Sequence, residues 1–148
     1  MQGDMVVFPD NLITRTLDVF SEYKDADVAT AITHHPLNEA KKPNNVKVAF
    51  EPIDKDIGRA LYFSRSVIPY EVQNPLKHIG IYIYRSHVLK DYVLAKPSAL
   101  EKQERLEQLR GLSLGFRYGA ALISGDFYSV DTLEDVYISE TYLRQFLN

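Results

Sequence analysis

Apolar and polar positions follow two rhythms along this chain. After Pro9-Asp10, the residues Leu12, Thr16, Val19, Phe20 and Tyr23 recur at helical spacing, with Asp10 placed as the N-cap. Asp25-Ala26-Asp27 breaks that rhythm, and Val28 to Ile32 reads as a short strand. The polar segment THHPLNEAKKPNN carries two prolines and reads as a loop with one turn of helix. VKVAFEP alternates as a half-buried strand does, Asp54 to Gly58 reads as a turn, and RALYFSR as the returning strand, so the three form a hairpin. SVIPYEVQNPL is irregular and is expected to cross the surface.

KHIGIYIYR is rich in β-branched and aromatic residues and predicts a strand. A short helix is predicted over Ser86 to Leu94. A longer one starts at Pro97 or Ser98, is striped by Leu106, Leu109 and Leu112, and ends by Gly115. FRYGAALI reads as a strand and SGDFYS as a turn. A final helix from Thr132 places Leu133, Val136, Tyr137, Leu143 and Leu147 on one face. Strands alternating with helices around a central hairpin predict an α/β fold with a sheet of mixed direction, in a single domain over residues 1–148.

Composition narrows the picture a little. A chain of 148 residues, 45% hydrophobic and 25% charged, has enough apolar material for one real core. A net charge of -3 gives no electrostatic footprint for nucleic acid. The absence of cysteine excludes disulfides and thiolate catalysis and suits a reducing compartment. No apolar run is long enough to span a bilayer, and no basic and apolar signal pattern opens the chain, so a cytoplasmic protein with no membrane partner is expected.

Ligands of open α/β sheets bind beyond the carboxyl ends of strands, which directs attention to Asp4 and Asp131. Asp4 follows Gly3, where backbone could come close to a ligand, and its carboxylate could hold a hard cation such as Mg2+. It reads equally as a solvated acid near the terminus. Asp131 stands three residues before Glu134 in VDTLED, close to a capping box, so it reads as a helix cap or, with a second carboxylate opposite, as a metal ligand. His78 before a buried strand reads as a hydrogen-bonded structural histidine or a catalytic one. Arg65 at a strand end reads as a surface ion pair or a fork onto carboxylate or phosphate. Gln108 borders the leucine stripe of the long helix and Glu107 lies about 100° further round. By spacing alone both belong to a solvated face, helped by pairs such as Glu101 with Arg105. His34-His35 lacks a third ligand at suitable spacing. There is no P-loop and no Gly-x-Gly-x-x-Gly cradle.

Taken in order, QGD, VKVAFEP…GRALYFSRSVIPY, KHIGIYIYR, LEKQERLEQLRGL and VDTLED resemble the C-terminal part of the 3-deoxy-manno-octulosonate (KDO) cytidylyltransferases, and the resemblance covers essentially all of Met1 to Asn148. It implies a nucleotide-diphospho-sugar-transferase-like (Rossmann-like) α/β fold. It implies an enzyme that transfers CMP from CTP to the anomeric hydroxyl of KDO, with release of pyrophosphate, for lipopolysaccharide biosynthesis. Carried over position by position, Asp4 and Asp131 would be catalytic metal ligands for Mg2+. Gln2, Arg65, His78, Tyr82, Glu107 and Gln108 would line the sugar-acid pocket. A homodimer would be expected.

Two local departures stand out: Met5-Val6 follows QGD where the family tends to have Glu-Pro, and Ser129 stands where a glycine often precedes VDT. The resemblance also starts part-way along the family, past the basic, glycine-containing loop that grips the nucleotide phosphates. The chain is therefore expected to hold the sugar half-site and to be incomplete for activity alone, with a bared sheet edge that promotes self-association. The alternatives are a non-catalytic remnant serving sugar-acid binding or dimerisation, and activation of a related acid sugar such as 8-amino-KDO or a sialic acid.

Overall fold

The computed structural model describes residues 3–130 and 133–144. Its elements in chain order are β1 (Met5–Val7), α1 (Leu12–Glu22), β2 (Val28–His34), α2 (Leu37–Ala40), β3 (Lys47–Pro52), β4 (Ile57–Ser64), β5 (Leu76–Tyr84), α3 (Ser86–Leu94), α4 (Ala99–Glu104), α5 (Gln108–Ser113), β6 (Tyr118–Leu122), β7 (Tyr128–Ser129) and α6 (Leu133–Arg144). The expected long strands are present, including the β3–β4 hairpin, whereas β1 and β7 are additional: Tyr128–Ser129 lies in the SGDFYS segment read as a turn.

The long strands form a ring in the order β2-β5-β3-β4-β6, closed by β6 against β2. The β2–β6 pair is parallel and the other pairings are antiparallel, so the sheet is of mixed direction. Each strand of the ring has a bonded neighbour on both sides, although β3 meets β5 only at Lys47 and Lys77. β1 and β7 form a separate two-stranded ribbon.

β2 separates two cores. Its VATAI stretch alternates larger and small residues. Ala29 and Ala31 belong to a core with Leu12 and Val19 of α1 and Ala121 of β6. Val28 and Ile32 belong to a second core with Val48, Phe63, Leu109 and Tyr118. The small residues let α1 lie close on the sheet: a Cβ on Gly119 would stand 2.3 Å from Val19 Cγ1. The N-cap of α1 is Asn11, without a side-chain cap bond, and not Asp10. Pro9 fixes the entry instead, its carbonyl accepting the Leu12 N–H at 2.9 Å.

The predicted long helix is two short ones. Ser98 caps α4 in a capping box with Glu101. At Arg105 the chain turns left-handed (φ 55°, ψ 47°), and the Leu106 N–H reaches back to the Glu101 carbonyl at 3.3 Å. α5 then starts in a new direction that buries both Leu106 and Leu109. Glu101 pairs with Arg110 and not with Arg105: Arg110 Nε donates to Oε2 at 2.8 Å and Nη2 to Oε1 at 2.5 Å, and the guanidinium lies over the Tyr92 ring. In α6, Val136, Tyr137 and Leu143 face solvent instead of forming a buried stripe, while Leu147 and the Leu133 side chain lie outside the described residues.

Candidate active site

The β2–β5 pairing has an irregularity that shapes the site. Thr30 opposes Tyr82, yet the next residue, Ala31, opposes Ile79, so Gly80 and Ile81 are extra on β5. In a regular strand His78 and Tyr82 would be about 13 Å apart at about 3.3 Å per residue. Across the bulge their ring centroids are 5.3 Å apart. Because two residues are inserted, the alternation is preserved and both rings stay on the same face.

Thr30 plugs this bulge. Its hydroxyl donates to the Ile81 carbonyl at 2.7 Å, and its oxygen lies 2.9 Å from His78 Nε2. With the hydroxyl proton engaged at Ile81, Nε2 is the donor and Nδ1 keeps a lone pair as acceptor. His78 is buried against Phe63, and burial, aided by Lys77, lowers its pKa to about 3. The ring is therefore neutral over the working range of most enzymes.

Opposite, the new direction of α5 brings Gln108 inward. It is only 3% exposed, which corrects the solvated-face reading. Its Oε1 accepts the Tyr82 hydroxyl at 3.2 Å, so its amide nitrogen remains a donor. Burial, then the Glu107 charge, raises the Tyr82 pKa, which keeps the phenol a hydrogen-bond donor. Glu107 stays exposed. Its backbone carbonyl accepts from the Tyr92 hydroxyl at 3.1 Å.

Among the described residues, Arg65 makes neither a surface ion pair nor a carboxylate fork through its guanidinium. That group donates to three carbonyls: Glu104 O at 2.8 Å, Pro43 O at 2.9 Å and Arg105 O at 3.2 Å. Asp4 sits in the turn before β1, not at the end of a core strand, and is half-buried. Its carbonyl accepts the Val130 N–H at 3.0 Å. No salt bridge to the Asp4 carboxylate is found among the described residues.

These groups meet in one cleft of about 490 Å3, lined by Asp4, Arg65, His78, Tyr82, Glu107 and Gln108. Gln2 and Asp131 lie outside the described residues. Further lining comes from Asn44, Asn45, Lys77, Arg105 and Tyr128. Sequence reasoning missed the two asparagines, which sit in a polar loop with no periodicity to mark them. It also read Arg105 only as a helix-surface partner of Glu101. His34 and His35 are not in the cleft, and no cluster of three metal-ligating side chains occurs among the described residues. No helix among them is long and apolar enough to cross a membrane.

The ring of mixed strands, with helices packed on it and a polar cleft beside its bulged strand, defines an α/β protein. Solved structures of UDP-glucose pyrophosphorylase share the fold, at 16% identity and a TM-score of 0.67 for the apo form. The family model for cytidylyltransferase matches residues 1–122, and the chain belongs to that family. More particularly, it is similar to the 3-deoxy-manno-octulosonate cytidylyltransferase of Rickettsia conorii, at 40% identity over 92% of this chain and 53% of the relative. The Mesorhizobium japonicum enzyme of the same name is 36% identical over 97% of this chain and 59% of its own length. A solved CMP:2-keto-3-deoxy-manno-octonic acid synthetase complexed with CTP superimposes with a TM-score of 0.86 at 31% identity, covering 98% of this chain and 60% of that one. The chain thus spans between half and two thirds of the length of these relatives.

Proposed function

We propose that this chain forms the sugar-acid side of a KDO cytidylyltransferase. In the reaction the anomeric hydroxyl oxygen of KDO bonds to the α-phosphorus of CTP, pyrophosphate leaves, and the hydroxyl proton is released. The carrying observation is the cleft itself, which gathers Asp4, Arg65, His78, Tyr82, Glu107 and Gln108 from separate stretches of the chain.

The chemistry of the lining suits a polyhydroxylated acid. Neutral His78 offers an acceptor, Gln108 an amide donor, and Glu107 a carboxylate acceptor for sugar hydroxyls. Arg65, Arg105 and Lys77 outnumber Asp4 and Glu107, so the walls favour an anion. Within this reading Arg65 acts by its charge and by the loops it holds, since its guanidinium already serves three carbonyls.

Asp4 suits a hard cation: a half-buried oxygen donor in the cleft, without a salt bridge among the described residues. Mg2+ is commonly held by one or two carboxylates together with substrate phosphates. Asp4, with Asp131 as its partner, would hold it, and the ion would supply charge neutralisation at the phosphates. The chain's own residues orient the sugar, which in phosphoryl-group transfer is a large share of the catalysis. The setting would be the cytoplasm, with two copies forming a dimer.

Calorimetric titration with KDO, beside an assay of pyrophosphate release from CTP with KDO and Mg2+, tests this reading. KDO binding without turnover by the chain alone is the expected result. Turnover unaided overturns the half-site assignment, and no binding of KDO overturns the sugar-acid site.

A further inference from the structure

Lys47 is a fully buried lysine outside the cleft lining. Such a side chain is rare unless its charge is met. Here its ammonium donates to the carbonyls of Lys42 (at 3.3 Å), Asn45 and Arg65. An ammonium has three donors and no acceptor, so its capacity is matched one for one by three backbone oxygens. A neutral side chain could not satisfy all three, and each carbonyl left buried without its donor would be costly.

Arg65 repeats the arrangement one layer out. Its backbone carbonyl receives Lys47, while its guanidinium reaches Pro43, Glu104 and Arg105. The Glu104 carboxylate closes the figure, accepting Ser64 Oγ at 3.0 Å and the Arg65 N–H at 3.1 Å. Two cations thus collect six carbonyls from three stretches: the 42–45 loop, the end of β4, and the break between α4 and α5. The first carries Asn44 and Asn45, and the third leads directly into Glu107 and Gln108. Both stretches line the cleft.

We infer that Lys47 is a positioning residue: with Arg65 it brackets the 42–45 loop and the 104–108 turn together, and so sets the width of the sugar-acid cleft without touching its occupant. The part that concerns the sugar rests on the proposed function, whereas the bracket rests on hydrogen bonds alone. The left-handed Arg105 belongs to it too. A non-glycine residue holds that conformation only when its surroundings impose it, and the Arg65 Nη2 bond to the Arg105 carbonyl is one such restraint.

Amide hydrogen exchange on wild type and Lys47→Met tests the bracket. Exchange at 42–45 and 104–108 is expected to quicken by about tenfold or more, while β2 and β6 stay protected. KDO affinity is expected to fall by about 10- to 100-fold with the barrel intact. No acceleration, acceleration spread evenly over β2 and β6, or unchanged KDO affinity in the variant overturns the inference. If wild type binds no KDO, the proposed function fails and the exchange pattern still decides the bracket. If Lys47→Met does not fold, Arg65→Met, on the more exposed side of the same bracket, is read by the same amides.

Discussion

The neutral His78 makes the stability of this fold depend on pH in a calculable way. An imidazole in the unfolded chain has a pKa near 6.5, whereas burial lowers that of His78 to about 3. The unfolded chain therefore binds more protons between these values. The contribution of His78 is complete above about pH 6.5 and is lost as the pH falls toward 3. At about pH 5 the unfolded group is almost wholly protonated and the folded one almost wholly neutral, so the loss from this residue is about 2 kcal/mol. The assay is urea unfolding at about pH 7.5 and about pH 5, on wild type and on His78→Gln, which keeps a polar amide beside Thr30 but cannot titrate. The other three histidines are common to both proteins and cancel. The wild-type drop should exceed that of the variant by about 2 kcal/mol. Equal drops, or an imidazole NMR titration of His78 with a midpoint above about 5.5, would refute the reasoning.

Three further perturbations follow from particular contacts. Alanine in place of a helical glycine ordinarily stabilises, but a Cβ on Gly111 would stand 2.2 Å from Tyr118 Oη. Gly111→Ala should therefore destabilise by about 1–3 kcal/mol in urea melts, with partial rescue by Tyr118→Phe. Thr30→Val keeps the shape of the side chain yet leaves the Ile81 carbonyl and the His78 N–H without their partner. Its cost should be about 1–3 kcal/mol by the same melts, and a neutral result would remove the plug from the account of the bulge. Tyr82→Phe should cost only about 1 kcal/mol in stability. By freeing Gln108 Oε1 to turn, it should weaken KDO binding measured by calorimetry, and unchanged affinity would take Gln108 out of the proposed sugar contacts.

The elements read from periodicity correspond to real ones where local pattern and tertiary packing agree. β5 is the clearest case, since isoleucine and tyrosine dominate KHIGIYIY and the structure extends the strand over Leu76–Tyr84. The break at Arg105 was illegible for a physical reason. Neither glycine nor proline marks it, and one bond that holds it comes from Arg65, 40 residues away in sequence. The β4–β6 link in the ring was equally hidden, because the pairing of Ile57–Ala60 with Tyr118–Ala121 depends on contacts about 60 residues apart that no local window senses. Spacing alone left His78, Gln108 and Arg65 each with a bland reading, and for Arg65 the carbonyl contacts were foreseen by neither reading. What drew the six cleft residues together beforehand was the resemblance of whole motifs. The geometry adds why they can meet: a bulge folds two rings of one strand onto each other, and a helix break turns a glutamine inward.

The two-residue excess in β5 also restricts how this strand can change over evolutionary time. Losing or gaining a single residue at Gly80-Ile81 would reverse the facing of everything beyond it. Tyr82 and Tyr84 would then be driven toward the side where Ala29, Ala121 and the bare Cα of Gly119 leave room only for helix α1. Length variation there is tolerable only in pairs, so in a comparison of many related chains, gaps at this point should come in even numbers.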